Sequence, residues 1–377
     1  MKTSSQRFLA LVLVGCTLVA APATRGVRGP PEEALNACRG VAEGAQCGFS
    51  APHGGISGRC VVAPNGQYAC VPNHPPPRER EMRVHTQTQV SSTTILVAAT
   101  ESPVVAQEST ISIRGTSRIL RSNGIPGHDT GKFPNTGNPN RILAQTHRYA
   151  VSAQPALNDQ ITPLNGRLFG IAINGVPFDP GAAEFYLGEP SSGWQYEALS
   201  GAVSLGIDAH YAHVQPTGTY HYHGLPTGML ASLDVNPKSH SALVGWAADG
   251  FPLYALFAFQ DPVDPESDIL EMRSSYVLKT GARSSDNDGP GGTYDGTFIR
   301  DYRYDRSVNE LDECNGRFGV TPEFPQGTYA YFLTRSWPVV PRCWKGMPSN
   351  DFNRRRPERS RGASGRLRRP TSKNGNR

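Results

Sequence analysis

The sequence has few charged residues and no apolar run long enough to cross a bilayer. Asp, Glu, Lys and Arg together make up 18% of the 377 residues, and 37% are hydrophobic. These fractions argue against a coiled coil, a long-helix protein or a membrane bundle. The longest apolar stretch, Phe8 to Ala21, has about 14 residues, whereas a spanning helix needs about 20. No transmembrane span is therefore expected.

Several catalytic signatures are also missing. The sequence contains no G-x-S-x-G, no Walker loop and no H-E-x-x-H, which are typical of serine hydrolases, P-loop nucleotide enzymes and zincins. No C-x2-C is present either, which argues against a zinc site built from the cysteines. A glycosidase-like pair of acidic residues can be far apart in sequence and has no local motif, so a glycosidase site stays an open alternative. The sequence does not decide whether the protein is an enzyme.

The positive charge is concentrated at the C-terminal end. Lys and Arg number 37 against 32 Asp and Glu. Ten of these basic residues and one Glu lie between Arg354 and Arg377, so the rest of the chain is slightly acidic. The part of the chain before this tail therefore lacks the excess of positive charge that is typical of nucleic-acid-binding domains. No specific nucleic-acid binding is expected. The basic tail, residues 347–377, is predicted to be disordered and suited to contact with an anionic polymer or the cell envelope.

The N-terminal residues are typical of a secretory signal peptide. Basic residues precede the apolar stretch and the small residues Ala21-Pro22-Ala23 follow it, which predicts a signal peptide over residues 1–23. The protein is therefore expected to be secreted, periplasmic or attached to the cell surface. Leu13-Val14-Gly15-Cys16 also fits a lipoprotein box, in which Cys16 would carry the lipid. The alternative is a chance cysteine in the signal core, because Thr17 to Ala21 continues apolar.

The six remaining cysteines predict two units separated by a Pro-rich, charged linker at residues 73–89. An even number of cysteines in an exported chain predicts disulfides. Four of them lie in a Cys-rich module, residues 34–72, which is too short to bury a core without two bridges; three pairings are open. The other two lie far along the chain and are expected to pair with each other. The six are Cys38, Cys47, Cys60, Cys70, Cys314 and Cys343.

Residues 90–346 have the pattern of an all-β domain. Short apolar runs rich in β-branched and aromatic residues recur there, and Gly, Pro, Asn or Asp separates them. This pattern predicts an antiparallel sandwich or barrel-like sheet with few short helices. Only Pro180 to Leu187 and Thr227 to Leu233 are predicted to be helical. Glu184 lies near the start of the first, where a helix dipole favours a carboxylate.

Four of the ten histidines lie within a stretch of fourteen residues. If Thr219 to His223 is a strand, alternation places His221 and His223 on one face about 7 Å apart. His213 precedes the turn Pro216-Thr217-Gly218 and is expected to return alongside them as a third ligand. Imidazole ligands suit copper, zinc or iron. The alternative is a surface strand with paired aromatic residues.

Other residues are weaker candidates for the same site or for another metal. His210 and Asp208 adjoin the histidine cluster in sequence, His128 lies in a loop, and Asp249 lies in an Asp-Gly turn. A loop histidine and a turn aspartate also occur for purely local reasons. Calcium is a separate alternative, although the acidic runs lack the EF-hand order of ligands and also fit solvated loops. These runs are Asp286-Asn287-Asp288-Gly289 and the set Asp261, Asp264, Glu266 and Asp268.

The segment from Pro216 to His223 resembles the copper-binding strands of multicopper oxidases and nitrite reductases. In those strands a cysteine follows the histidine, whereas Gly224 follows His223 in this chain. A blue-copper centre needs that thiolate. Type 1 electron transfer is therefore disfavoured, and an all-imidazole copper or zinc site stays open.

The sequence contains three distinctive motifs: Tyr220-His221-Tyr222-His223 with the residues that precede it from Gly206, Asn174 to Gly181, and Gly245 to Pro252. Together they resemble the YHYH-domain family of exported, chiefly bacterial proteins. The resemblance runs from about Val90 to Cys343. His213, His221 and His223 match motif positions, whereas His210 does not. The family has no established activity, so the resemblance implies no substrate.

These observations support one leading hypothesis and one alternative. The leading hypothesis is an exported, disulfide-stabilised β domain that binds copper or zinc through His213, His221 and His223, for metal capture or as a metalloenzyme. The alternative is a non-catalytic extracellular module that binds a surface polymer or protein through a tyrosine-rich sheet. A stoichiometric bound metal would separate the two.

Overall fold

The computed structural model describes residue 30 and residues 32–51, 54–62, 66–72, 85–90, 96–286 and 289–353. The predicted signal peptide with Cys16, residues 73–84 of the predicted linker and the tail beyond residue 353 lie outside these described residues. The chain divides into two compact units, Met1–Met82 and Arg83–Arg377.

The first unit is a small antiparallel sheet fastened by two disulfides. Cys38 is bonded to Cys60 and Cys47 to Cys70, which selects one of the three pairings that the sequence leaves open. Ala34 and three of these cysteines form its buried core. So small a core cannot hold a fold alone, and the bridges supply the missing constraint. The elements are α1 (Glu32–Asn36), β1 (Gln46–Ala51), β2 (Gly54–Val62) and β3 (Tyr68–Pro72), with the strand order β1-β2-β3.

The second unit is built mostly from short strands, and the all-β prediction is confirmed. Its α-helix within the described residues, α2 (Thr227–Ser232), falls where the sequence predicts one. Three 3₁₀ turns cover Pro190–Ser192, Ile299–Asp301 and Asn350–Phe352. The strands are β4 Ala99–Glu101, β5 Ser109–Arg114, β6 Ser117–Ser122, β7 Thr130–Gly131, β8 His147–Ser152, β9 Thr162–Pro163, β10 Gly170–Ala172, β11 Pro177–Phe178, β12 Gly181–Phe185, β13 Gln195–Glu197, β14 Ala212–Val214, β15 Tyr220–Tyr222, β16 Gly245–Ala247, β17 Pro252–Ala255, β18 Phe257–Phe259, β19 Ile269–Glu271, β20 Tyr276–Leu278, β21 Tyr302–Tyr304, β22 Gly316–Thr321, β23 Phe324–Leu333 and β24 Cys343–Trp344.

An eight-stranded sheet forms the centre of this unit, in the order β14-β15-β11-β10-β16-β17-β23-β22. Most neighbours are antiparallel, as predicted. However, β11 pairs with β15 and β17 pairs with β23 in parallel. Both parallel pairs join strands that are distant in sequence, because a tight hairpin can connect only antiparallel strands. The sheet is therefore mixed, and the sequence pattern does not show which distant strands become neighbours.

The middle of this sheet is buried at every strand position. Strands β10, β11, β15, β16 and β17 have no exposed residue. Their sequences are apolar or aromatic except for His221 in β15, as burial on both faces requires. Aromatic rings fill much of the core. The ring of Phe169 stacks on Trp344 with centroids 6.0 Å apart and meets Tyr331 edge-on at 5.2 Å. Such offset and edge contacts are the favoured arrangements of aromatic pairs.

One predicted helix is a strand. The segment from Pro180 to Leu187 contains β12, which pairs with β13 through Gly181–Glu197 and Phe185–Gln195. Pro and Ala at its start favour a helix locally, but pairing with β13 and burial of Gly181 and Ala182 outweigh that weak propensity. The placement of Glu184 at a helix start is therefore wrong, because this residue lies in a strand.

Two further features concern the cellular compartment. Cys314 is bonded to Cys343 at a sequence separation of 29 residues, the pairing expected for the two distant cysteines. Three disulfides are typical of proteins that fold in an oxidising compartment. In the part of the chain that the structure describes, no helix is long and apolar enough to span a membrane. Export itself stays a prediction.

Candidate metal centre

A hairpin of β14 and β15 carries the clustered histidines. The two strands pair antiparallel, so that His213 lies directly opposite His221. The amide of Gly218 closes the turn by donating to the carbonyl of Gln215 at 2.8 Å. Gly218 has a φ of +85°, a left-handed conformation that glycine adopts without a steric penalty. The Pro-Thr-Gly turn thus brings histidines from the two strands together.

The rings of His213, His221 and His223, called here the histidine group, converge on one side of this hairpin. Ring centroids are 4.6 Å apart for His213–His221 and His213–His223, and 4.8 Å apart for His221–His223. One ligand atom from each ring lies within 4.8 Å of the other two. Strand alternation sends Tyr220 and Tyr222 to the opposite face.

Backbone carbonyls orient two of the rings. Nδ1 of His213 lies 2.9 Å from the carbonyl oxygen of Leu205, and Nδ1 of His221 lies 3.2 Å from that of Thr219. A carbonyl oxygen only accepts, so each Nδ1 carries a proton, and in the neutral form of either ring the lone pair is on Nε2. Metal-binding histidines are typically held in this way through their second nitrogen.

Two Nε2 atoms meet at the centre of the group. Those of His221 and His223 are 3.1 Å apart. The contact is held either by a proton on one of the two Nε2 atoms or by a cation that accepts both lone pairs. Both rings are almost completely buried, whereas His213 is half-buried. Of the three residues, His213 is therefore the most exposed.

Burial also keeps His213 neutral. The pKa of His213 is lowered to about 3, mainly by loss of hydration and then by the neighbouring His221, against smaller raising effects of the Leu205 carbonyl and nearby carboxylates. A neutral imidazole is the form that binds a metal ion, because a protonated ring must first lose its proton. His213 is therefore ready to act as a ligand at neutral pH.

The tyrosine face of the hairpin is satisfied by its own hydrogen bonds. The hydroxyl of Tyr220 donates to Asp208 Oδ2 at 2.7 Å. The hydroxyl of Tyr222 lies 2.7 Å from His128 Nε2 and accepts from Asn174 Nδ2 at 2.9 Å. Both tyrosines are fully buried. They hold the hairpin in the core and offer no exposed surface.

Three of the weaker candidates lie on this tyrosine face and not in the histidine group. The rings of His128 and His210 are 4.3 Å apart, and Nδ1 of His210 accepts from the Gly228 amide at 3.0 Å. Asp208 accepts from the amide of Gly131 at 3.0 Å in addition to the Tyr220 hydroxyl. These contacts give each residue a local structural role.

Asp249, the fourth weaker candidate, lies between β16 and β17. Its Oδ2 accepts from the hydroxyl of Tyr331 at 2.5 Å and from the amide of Gly346 at 2.9 Å. Burial raises the pKa of Asp249 to about 6, although these hydrogen bonds act in the opposite direction. The carboxylate connects a turn of the sheet to the segment that follows β24.

The acidic runs considered for calcium form local turns where they are described. Asp261 Oδ1 accepts from the Val263 amide, and Asp264 Oδ1 from the Glu266 amide. Residues 287 and 288 of the other run lie outside the described residues. Among described side chains, two groups of three metal-ligand residues converge: the histidine group, and Cys38, Cys47 and Cys70, which are all in disulfides.

One acidic residue near the histidine group, Asp179, is not among the site residues that the sequence predicts. Asp179 follows β11, the parallel neighbour of β15, and only 1% of its surface is exposed. Its Oδ2 accepts from Gln215 Nε2 at 2.9 Å, and its negative charge acts on His213. Asp179 belongs to the Asn174–Gly181 motif, but nothing in the sequence shows that this motif lies next to the hairpin.

A family model described as YHYH protein matches residues 148–346. The match includes the whole eight-stranded sheet, the histidine group and Asp179. No curated protein and no solved structure matches the chain. Because the matched region is more than half of the sequence, the chain belongs to the YHYH protein family.

Proposed function

We propose that this YHYH protein binds one transition-metal ion, copper or zinc, through His213, His221 and His223. The observation that supports the proposal most strongly is that one ligand atom from each of three imidazoles lies within 4.8 Å of the others. Three protein ligands leave a position open on a four-coordinate ion. Such an ion suits metal capture, and it also suits a metalloenzyme in which water or substrate takes the open position.

The donor chemistry favours copper or zinc over calcium or magnesium. Imidazole nitrogen suits the former pair, whereas calcium and magnesium prefer sets of oxygen ligands. All six cysteines of the described residues are in disulfides, so no thiolate supports a blue-copper centre. This agrees with Gly224 standing where copper strands have their cysteine.

We propose that the protein binds its metal outside the cytoplasm. The predicted signal peptide and the three disulfides support it. The alternative function, a binding module that uses a tyrosine-rich sheet, loses Tyr220 and Tyr222 as contact residues because both are buried. No other described observation favours that alternative, so metal binding is the function that we retain.

The test is the metal stoichiometry of the full chain, purified from an exporting host without a histidine tag. The protein is loaded with Zn²⁺ or Cu²⁺, dialysed against a weak chelator and measured by elemental analysis. We expect one ion per chain, and none in the double variant His221→Ala, His223→Ala.

The matched control is the double variant His128→Ala, His210→Ala, which removes two imidazoles from the tyrosine face of the same hairpin. It should keep one ion per chain. Wild-type protein that retains no copper, zinc, iron or manganese after loading would contradict the proposal. Equal metal loss in both double variants would also contradict it, because the effect would not be specific to the histidine group.

A further inference from the structure

Asp179 lies on the same side of the sheet as the histidine group. It follows Phe178, which pairs across the parallel ladder with Tyr222, and its amide donates to the Tyr222 carbonyl at 2.9 Å. Because successive side chains of a strand alternate, Phe178 shares the face of Tyr222 and Asp179 shares the face of the histidines. The rings of Phe178 and Tyr222, 5.6 Å apart, agree with this assignment.

The hydrogen bond between Gln215 and Asp179 supports the same conclusion from the other strand. Gln215 lies two residues after His213, so alternation puts both side chains on one face. Strands β14 and β11 flank β15 on opposite sides. A bond of 2.9 Å from Gln215 Nε2 to Asp179 Oδ2 must therefore pass over β15, the strand that carries His221.

The consequence is a buried carboxylate on the same side of the sheet as the three rings of the histidine group. Asp179, His221 and His223 are exposed by 1%, 1% and 2%. A carboxylate this deeply buried needs donors or a cation nearby to offset its lost hydration. The negative charge of Asp179 raises the pKa of His213 slightly, and His213 is the most exposed member of the group.

We propose that Asp179 makes the histidine group selective for a divalent cation over a monovalent one such as Cu⁺. This inference rests on the proposed metal binding. At a fixed distance and dielectric constant, a carboxylate attracts a 2+ ion about twice as strongly as a 1+ ion. If its oxygen contacts the ion directly, the preference grows, because soft monovalent ions favour sulfur and nitrogen ligands over carboxylate.

The experiment compares Zn²⁺ with Ag⁺, a redox-inert stand-in for Cu⁺, in chloride-free buffer by competition titration of the full chain. Asp179→Asn removes the charge and keeps an oxygen that accepts from Gln215. We expect its Zn²⁺ affinity to fall by about 10–100-fold, as for other residues that support a metal site. Its Ag⁺ affinity should fall much less, so that the ratio of the two affinities drops.

The control Glu184→Gln removes one carboxylate from β12, in a separate two-stranded sheet, and should leave both affinities unchanged. Wild-type protein that binds neither ion would defeat the proposed function itself. Wild-type binding with equal losses of Zn²⁺ and Ag⁺ affinity in Asp179→Asn, or with no loss, would overturn only the selectivity proposal.

Folding of Asp179→Asn is checked by circular dichroism and thermal melting. If Asp179→Asn does not fold, Gln215→Met is used in its place. This substitution removes the hydrogen bond that holds the Asp179 carboxylate over β15, while the negative charge remains. A selective fall in Zn²⁺ affinity is then expected. An unchanged ratio of Zn²⁺ to Ag⁺ affinity in Gln215→Met would overturn the proposal.

Discussion

The histidine group and the surroundings of Asp249 are two buried polar regions of the same sheet, and their hydrogen bonding differs. Around Asp249, the Tyr331 hydroxyl and the Gly346 amide both donate to one carboxylate oxygen, and the Lys345 amide donates to the Tyr331 hydroxyl at 2.8 Å. Asp249, Tyr331, Lys345 and Gly346 are called here the carboxylate cluster. In the histidine group, protons on Nδ1 point outward to carbonyls, whereas the Nε2 atoms of His221 and His223 face each other.

This difference separates a structural cluster from the proposed metal site. In the carboxylate cluster donors meet acceptors, so the region is complete as a structural tie between a turn and the C-terminal segment. In the histidine group, one ligand atom from each of three rings lies within 4.8 Å of the other two, which is the arrangement that supports the proposed metal binding. Both regions contain residues that the sequence offers as metal ligands, and burial alone does not distinguish them.

The largest expected effect is on the carboxylate cluster, through the disulfide that holds it. Cys343 is separated only by Trp344 from the residues whose amides donate to Tyr331 and Asp249. Its bond to Cys314 closes a segment with a sequence separation of 29 residues. Replacing both cysteines by alanine should lower the free energy of unfolding by about 3–4 kcal/mol on chain-entropy arguments, measured by urea denaturation. Metal stoichiometry should stay at one. Unchanged stability, or metal loss in the folded variant, would contradict the separation of the two regions.

The second prediction concerns the pH dependence of the carboxylate cluster. Burial raises the pKa of Asp249 to about 6, above the value of about 3.9 in an unfolded chain. The folded state therefore binds the proton more tightly, so the stabilisation is complete below about pH 4 and is lost as the pH rises through about 6. A shift of about two units corresponds to about 3 kcal/mol.

The measurement is the difference in free energy of unfolding between wild type and Asp249→Asn, which cancels the titration of other groups. It should fall by about 3 kcal/mol from pH 3.5 to pH 7. The asparagine keeps an oxygen that accepts from Tyr331. A difference that does not change with pH would show that Asp249 titrates normally in the fold.

The third prediction concerns stabilisation of the histidine group by its ligand. Free Zn²⁺ at about 100 times the dissociation constant should raise the free energy of unfolding of the wild type by about 2.7 kcal/mol, if the unfolded chain does not bind it. Thermal or urea unfolding with and without Zn²⁺ measures this. Asp249→Asn should keep the stabilisation, whereas the variant lacking His221 and His223 should lose it. Equal stabilisation of both variants would place the metal elsewhere.

The smallest expected effect is on the tyrosine face. Tyr222→Phe removes the hydroxyl that contacts His128 and accepts from Asn174. The loss of these buried hydrogen bonds should cost about 1–2 kcal/mol of stability, measured by urea denaturation. Metal stoichiometry should not change, because the hydroxyl points away from the histidine group. A loss of bound metal in the folded variant would assign the tyrosine face to the metal site.

The sequence predicted what depends on local pattern. Alternation along Thr219 to His223 and the turn after His213 were sufficient to bring three histidines to one face, because both are short-range properties of a hairpin. The β class followed from recurrent short apolar runs and the turn residues between them. The distant disulfide followed from an even cysteine count and the separation of the two cysteine sets.

The sequence did not predict what depends on distant pairing. The parallel neighbours β11 and β15 bring Asp179 to the histidines, and no local signal encodes that contact. The prediction of a helix over Pro180 to Leu187 was wrong for the same reason, because this segment contains a strand that pairs with β13. Asp208 adjoins the histidine cluster in sequence and His128 lies in a distant loop, yet both contact the tyrosines on the opposite face of the hairpin.

The central claim is that three imidazoles on one face of the hairpin bind a single ion. X-ray absorption spectroscopy of the zinc-loaded full chain tests it most directly, because outer-shell scattering reports imidazole rings. We predict nitrogen or oxygen ligands at about 2.0–2.1 Å, with scattering from three imidazoles in the wild type and two in His213→Ala. A sulfur shell at about 2.3 Å, or a zinc spectrum without imidazole scattering, would contradict the account.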